Sequence, residues 1–460
     1  MKRTCDFNKV IMDGDSGIIF NGLNGAVLKA SSSVLKAYQF AHQHQPLDQA
    51  MVEALFPDQG IRDTLEREHL LVPVNFDEYA FVDKARNIMV NQDLGTNVEF
   101  IVTYRCNFRC LYCYAGQAPP HMSEDMARRA ANFASEMAQK RNSKAMKVQF
   151  IGGEPLLNPE AIGIICKNMS GFRDERELIM RTSLTSNGSL LTRRILKSIR
   201  AVGPVDVQIT LDGPEPIHNK RRSMKNGNSY QAIVNNVKEC VQDIDELSIR
   251  INVDYENVEF IPDFLGHIRE FLPDNTALAM VPTFAHTEAS AHYSGQCFKN
   301  NDIAPQLSNI WTVALALGYP PSWNPIPTFM SCGAIMPGSI AIDPLGDIYK
   351  CAATYGNKAL SVGTIKEGLD TSSGSVYNQF VNRDKRVLAS GQCRGCSALP
   401  VCMGGCTFRS FRKNGVMHAP DCRHDQRECF EDFIRQYFEW HVRKRVKGIK
   451  LHNQAVHLTP

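Results

Sequence analysis

Short apolar runs alternate with turn-forming residues at the start of the chain. VIM, IIF and AVL, within residues 9–30, are separated by GDSG and NGLNG. This punctuation predicts three short strands joined by tight turns. Segments 31–43, 47–56 and 60–69 then read as helices, and the apolar run LLVPV follows. Together they make a compact unit long enough to fold, with 74–95 as a partly ordered linker.

From residue 98 to about 285 the pattern becomes strand–helix alternation. Strands are expected at VEFIVTY (98–104), MKVQFIGGEP (146–155), LIMRTSLTSNG (178–188), VDVQITLDG (205–213), LSIRINVDY (247–255) and ALAMVP (277–282). Ser123 is placed to cap a helix whose first turn carries Glu124 and Asp125, which suits a positive helix N-terminus. Such alternation predicts a parallel sheet with right-handed crossovers. Six units make an α/β fold, a partial (β/α)6 barrel of TIM-like form with its chemistry at the C-terminal strand ends. Beyond about 320 the strands shorten. IAIDPLGDIYKC (340–351) reads as a hairpin. Residues 425–448 read as a helix with Phe430, Phe433, Ile434, Tyr437 and Phe438 on one side. Its basic end, HVRKRVKGIK, reads as a solvated helix terminus rather than a binding patch. The expected division is 1–90, 91–310 and 311–460.

The bulk numbers narrow the class. A net charge of +3 offers no general argument for nucleic acid or a membrane surface. No apolar run is long enough to span a bilayer, and the start lacks the apolar stretch of a signal peptide. A cytoplasmic location is the expectation. Fifteen cysteines are then anomalous, because a reducing compartment disfavours a large disulfide framework. An odd, clustered set fits metal ligation better. Cys166 and Cys240 sit in helical, apolar surroundings and read as core.

Cys106, Cys110 and Cys113 have C-x3-C-x2-C spacing at a strand end. Three close thiolates can hold an iron–sulfur cluster and leave one iron open. Structural zinc prefers four closed ligands, for which His121 would be the nearby candidate. This spacing, with Tyr112 before the third cysteine, resembles the radical SAM superfamily. The resemblance implies a [4Fe–4S] cluster whose open iron binds S-adenosylmethionine (SAM), and cleavage of SAM to a 5′-deoxyadenosyl radical. It also implies SAM contacts at later strand ends: Gly152, Gly153 and Glu154, then Ser186 and Asn187 in TSNG, then Asp212 in LDGP. Arg222, the last arginine of IHNKRR, would grip the SAM carboxylate bidentately. His218 is expected only to order that loop.

The later cysteines resemble the SPASM domain, an auxiliary-cluster extension. By position, Cys393, Cys396, Cys402 and Cys422 would hold one auxiliary cluster, and Cys332, Cys351 and Cys406 the other. Three [4Fe–4S] clusters are therefore expected in all. Gly338 stands where some members carry a further cysteine, so the second set would be open or borrow a ligand such as Cys297 or a substrate thiol. Cys429 is a spare that could replace Cys422. Zinc remains the physical alternative for the C-x2-C-x5-C run.

Two branches of that family act on peptides. Anaerobic sulfatase-maturing enzymes carry an aspartate base directly after the cysteine matching Cys351; here it is Ala352, with Asp343 and Asp347 offset. The other branch comprises maturases of ribosomally made peptides, which often carry an N-terminal winged-helix-like unit that captures a leader by strand addition. Residues 1–75 resemble that unit in element order. The expected function is a maturase forming an intrapeptide crosslink, carbon–carbon or thioether, in a precursor peptide. Its electron donor would be a flavodoxin or ferredoxin. The rivals are a sulfatase-type maturase and a non-enzymatic zinc- or nucleic-acid-binding module.

Overall fold

The computed structural model describes residues 1–92, 95–113, 120–225, 227–285, 288–321, 325–422 and 429–446. The basic end beyond 446 lies outside them. The N-terminal unit contains β1 (Lys2–Thr4), β2 (Asn8–Asp13), β3 (Ser16–Asn21), β4 (Val27–Ser31), α1 (Ser32–Gln43), α2 (Gln49–Leu55), α3 (Gln59–Arg67), β5 (Leu71–Pro73) and α4 (Glu78–Asn91). The expected three strands form one antiparallel sheet, ordered β2-β3-β4. Ser31, Asp48 and Asp58 each cap the following helix by accepting from a backbone N–H. The short β1 pairs antiparallel with β5, a contact of two distant segments that no local pattern announces.

The linker expected at 74–95 is instead the helix α4. Asp77 caps it, accepting from Tyr79 N and Ala80 N at 3.0 and 2.9 Å. Val82 and Ala85 then bury against Phe7, Leu23, Leu399 and Met403. The chain orders there because both flanking units cover one side of the helix. Ile11, Ile18 and Phe20 likewise share a core with Ala398, Phe430 and Ile434. The N-terminal unit is thus seated on the C-terminal cysteine region.

The barrel segment comprises β6 (Thr96–Ile101), β7 (Phe108–Cys110), α5 (Glu124–Lys140), β8 (Ala145–Ile151), α6 (Pro159–Arg176), β9 (Ile179–Ser186), α7 (Arg193–Arg200), β10 (Val205–Thr210), α8 (Glu215–Arg221), β11 (Arg222–Met224), α9 (Ser229–Cys240), β12 (Glu246–Val253), α10 (Ile261–Arg269), β13 (Ala277–Pro282) and α11 (Asn300–Ala316). Strands β6, β8, β9, β10, β12 and β13 lie side by side and parallel. Ser123 caps α5 as expected.

Alternation along these strands gives the sheet two unlike faces. Val98, Phe100, Val148, Phe150, Leu184 and Val207 pack into the main core with helix residues such as Ala127, Ile162 and Ile199. Cys166 and Cys240 belong to that core, as expected. The intervening positions Glu99, Gln149, Ser183, Gln208 and Arg250 place polar groups on the inner face. A sheet buried on both faces would read as continuously apolar. The inner face of this one is polar at these positions and apolar at Ile101, Ile151 and Ala341, which cluster with Tyr104 and Tyr349.

The C-terminal part contains β14 (Ser339–Ile342), β15 (Asp347–Tyr349), β16 (Gly363–Thr364), β17 (Gly368–Leu369), α12 (Val376–Val381), α13 (Arg383–Ser390), α14 (Leu399–Cys402), α15 (Thr407–Asn414) and α16 (Phe430–Val446). The expected hairpin is β14–β15. It does not stand alone: β14 pairs parallel with β6 and continues the barrel sheet. No helix among the described residues is long and apolar enough to cross a membrane.

Candidate active site

The cysteine loop leaves the C-terminal end of β6 and returns as β7, which pairs with β11 so that Cys110 lies opposite Arg222. This ribbon brings Arg222, distant in sequence, beside the thiols. Burial pushes the Cys110 thiol up to about 12; Arg222 opposes this, while Cys113 and Cys106 add to it. The three sulfurs therefore sit within electrostatic reach of one another. Phe108 N donates to Cys106 Sγ at 3.4 Å, and Asn187 Nδ2 lies 4.0 Å from it.

Glu154 is fully buried and holds the next strand end in place. Its Oε1 accepts from Leu156 N (3.0 Å) and Ser186 Oγ (2.8 Å), and its Oε2 from Asn187 N (2.7 Å). Burial raises its pKa against those three bonds. Asn187 Nδ2 in turn donates to Asn107 Oδ1 at 2.8 Å, inside the cysteine loop. The glycines before Glu154 answer to a backbone neighbour. A Cβ on Gly152 would meet Thr103 O at 2.3 Å, and one on Gly153 would meet Arg105 O at 2.4 Å. They are small so that β8's end can lie against the cysteine loop's own backbone.

Asp212 is also fully buried. It accepts from Tyr112 Oη and from Asn252 N (2.9 Å). Burial penalises its charge, yet Arg221 and Arg222 hold the carboxyl below the usual range. The two arginines differ. Arg221 is tied into the protein through both Nη atoms, donating to Asp254 (2.5 Å), Tyr293 Oη (2.7 Å) and Asn252 O (3.0 Å), while its buried Nε faces Asp212 Oδ2 at 3.6 Å without a hydrogen bond. Arg222 donates from Nη1 to Tyr112 Oη at 2.7 Å, while its buried Nε has no hydrogen-bond partner. A buried guanidinium with an unused donor beside three thiols fits a carboxylate-bearing ligand. His218 is buried, accepts from Asp212 N at 3.2 Å, and is pushed down to about 3 by burial with Arg222 adding. It orders the loop as a neutral ring, as expected. Arg221, Asn252 and Tyr293 were not anticipated. Their signal, polar residues at strand ends, is weak without the fold.

His121 bonds Thr103 Oγ1 through Nδ1 at 3.0 Å, in a bridge between those two residues. The C-terminal cysteines assort into two groups. Burial raises Cys393 to about 11, with Cys402, Cys396 and Cys422 adding. Burial raises Cys351 to about 12, with Cys332 and Cys406 adding and Glu99 of β6 contributing. These are the interleaved sets expected. Two finer suggestions do not hold. Cys297 lies by the barrel mouth, donating to Tyr293 O (3.8 Å) and feeling Asp254 and Arg221, because η-type turns after β13 return it there rather than to the Cys332 group. Cys429 is buried against Ala304 O of α11 at 3.6 Å. At Gly338 a Cβ would meet Gly95 O at 2.7 Å and Arg141 Nε at 2.8 Å, so a cysteine has no room.

Among the described residues, no three His, Cys, Asp or Glu side chains converge closely enough for a single metal ion. A four-iron cluster takes each thiolate on a different iron and needs a wider cradle. The thiol groups fit that kind of centre in their chemistry and grouping.

A model of the Radical SAM superfamily matches residues 100–265. The radical SAM cyclopropyl synthase TigE of Paramaledivibacter caminithermalis is 19% identical over 449 residues, covering 89% of this chain and 90% of that protein. Coverage of curated relatives is uneven: the match spans 43% of the Fe-coproporphyrin III synthase of Methanosarcina barkeri and 33% of the GTP 3',8-cyclase of Heliobacterium modesticaldum. Among solved structures, native anSMEcpe with bound AdoMet and Cp18Cys peptide has a TM-score of 0.55 at 16% identity. That match covers 76% of this chain and 99% of the other. Streptococcus suis SuiB bound to its precursor peptide SuiA has a TM-score of 0.50 at 13% identity, covering 92% and 99%. At these identities the structural likenesses speak for the fold.

Proposed function

We propose, from the premise that residues 100–265 belong to the radical SAM superfamily and the chain is an enzyme of that kind, that it is a peptide maturase. Its substrate is a ribosomally made precursor peptide, and its product carries an intrapeptide crosslink, carbon–carbon or thioether.

Membership implies a [4Fe–4S] cluster and SAM, which together supply a carbon-centred radical when bound. The chain's own residues hold and orient. Cys106, Cys110 and Cys113 hold the cluster. Arg222 offers its unpaired Nε to a carboxylate. Glu154, Asn187 and Asp212 keep the strand ends in register around the thiols.

One observation carries the peptide reading: the barrel wall at β6 has a thiol group toward each end. The triad follows the C-terminal end of β6. Cys351 follows β15, which runs opposite to β14 and β6 and so leads back along the wall beside Glu99. An extended substrate along that wall would lie between two redox-capable sets. The N-terminal sheet supplies a capture surface. Its β2 side is covered by α16, where Arg435 donates to Met12 O at 2.6 Å and Lys9 pairs with Glu431. That leaves β4 as the edge for strand addition. The winged-helix-like and SPASM assignments, and two auxiliary clusters, belong to this reading. Peptide-bound neighbours agree with it.

A sulfatase-type maturase is the second reading, favoured by the likeness to anSMEcpe. Against it, Asp343 is tied up by Tyr104 Oη (2.5 Å), Leu345 N and Asp347 N, and Asp347 pairs with Lys358. Neither is a free base standing in for the residue at Ala352.

The test is anaerobic incubation of reconstituted protein with SAM, reductant and the peptide encoded beside its gene. The expected result is 5′-deoxyadenosine and a peptide two hydrogens lighter. No 5′-deoxyadenosine, or an unaltered peptide alongside conversion of a sulfatase peptide, overturns the proposal.

A further inference from the structure

Between Cys402 and Cys406 three successive residues, Met403, Gly404 and Gly405, have positive φ, at 46°, 80° and 80°. A methionine takes that conformation only where its surroundings hold it. The turn aims two consecutive carbonyls at one guanidinium. Arg383, wholly buried, donates from Nη1 to Met403 O, from Nη2 to Gly404 O and from Nε to Met417 O (3.3 Å). Nη1 also bonds Asp384 Oδ1 at 3.0 Å, and Asp384 is equally buried.

The pair reaches the backbone next to several cysteines. Asp384 Oδ2 accepts from Ser331 N at 2.8 Å, one residue before Cys332. Gly404 O accepts a second bond, from Asp421 N at 2.9 Å, one residue before Cys422. No side chain could replace the two glycines. A Cβ on Gly404 would meet Val387 Cγ1 at 2.6 Å, and one on Gly405 would meet Asp421 O at 2.0 Å. The turn therefore closes directly on the pair.

An ion pair removed from water is costly to keep and still more costly to break. Four donor contacts from Arg383 and the Ser331 contact on Asp384 compensate this one. Its partners are almost all backbone groups of cysteine-bearing segments, so what it organises is those segments. We infer that the Arg383–Asp384 pair is a positioning element that registers both C-terminal cysteine groups at once. Asp384 holds the Cys332 segment, and Arg383 holds the Cys402–Cys406 turn with the Cys422 segment behind it. Arg383 then bears on the loading of both groups, since Cys402 and Cys406 leave the same turn for different groups, whereas Asp384 bears on the Cys332 group alone. The inference rests on the reading above that these groups hold iron–sulfur clusters.

The test uses the full chain, reconstituted anaerobically, with iron, sulfide and the electron paramagnetic resonance of the reduced protein as readouts. Wild type should take up roughly 11–12 irons and R383Q roughly 4, the triad's share, while still cleaving SAM. D384N should lose roughly 3–4 irons and only one auxiliary signal, that of the Cys332, Cys351 and Cys406 group. R383K keeps the charge but not the fork and should not restore loading. If R383Q fails to fold, D384N decides: selective loss supports the inference and full loading overturns it. Full iron with unchanged spectra in R383Q likewise overturns this inference alone. A wild-type chain that takes up only the triad's share overturns the auxiliary-cluster reading, and this inference with it.

Discussion

Glu154→Gln tests whether the strand end beside the cysteine triad is held by one carboxylate. The substitution conserves volume, so no cavity is created. Gln would keep the two bonds on Oε1, from Leu156 N and Ser186 Oγ. In place of Oε2 it would present an NH2 group to Asn187 N, donor against donor. A charge-assisted bond is lost and a buried N–H left unpaired, each worth about 1–3 kcal/mol. With partial relaxation the expected loss is about 2–3 kcal/mol, which in a binding constant is roughly 30-fold to 150-fold. It falls on the 185–188 turn, which carries Asn187 to within 4.0 Å of Cys106 Sγ. Urea denaturation should register the stability loss, and isothermal titration of the reconstituted protein should show weaker SAM binding by at least tenfold. E154Q within about 0.5 kcal/mol of wild type, the range of an ordinary surface change, with unchanged SAM affinity, would refute the reasoning.

Gly338→Cys should not add a cluster ligand. Contact with Gly95 O and Arg141 predicts a loss of about 1–3 kcal/mol and no gain in iron, by denaturation and iron assay. Tyr104→Phe removes the donor to Asp343 Oδ2 while Leu345 N and Asp347 N still hold Oδ1. A loss of about 1–2 kcal/mol in urea denaturation is expected, with triad iron retained. His218 has its folded pKa depressed to about 3. The unfolded ring therefore binds a proton that the folded ring refuses, and stability falls as pH drops below the ordinary value near 6.5. From pH 6.5 to 5.5 wild type should lose about 1 kcal/mol more than His218→Asn, measured by denaturation of the apo chain. Equal losses would exclude His218 as the source.

Local patterns carried much of the fold. Strands and helices of the barrel follow from alternation and capping residues, and β13 is found at the expected residues, 277–282. The triad was legible because its ligands lie within eight residues of one another. The α4 helix was not, since its order depends on burial against Leu399 and Met403, far along the chain. The GGE glycines also have a role that no local pattern shows: the missing Cβ atoms make room for backbone at 103–105. Cys297 lies near Asp254, Arg221 and Tyr293, a placement that spacing could not give because it does not say which way the chain returns after β13.

By itself the amino-acid sequence determined the element types and the three-cysteine motif, each written in periodicity or in short spacing, which physics reads locally; the division of the later cysteines into two sets came only through the resemblance to the SPASM domain. Tertiary structure alone decided that Arg222 lies opposite Cys110 while Arg221 is drawn to Asp254 and Tyr293, because that depends on how β7 and β11 pair. It also decided that the hairpin after Gly338 completes the barrel sheet, and that a buried pair at 383–384 reaches both cysteine groups. Those outcomes depend on partners tens to hundreds of residues apart, whose competition for hydrogen bonds and burial is settled only when the chain closes.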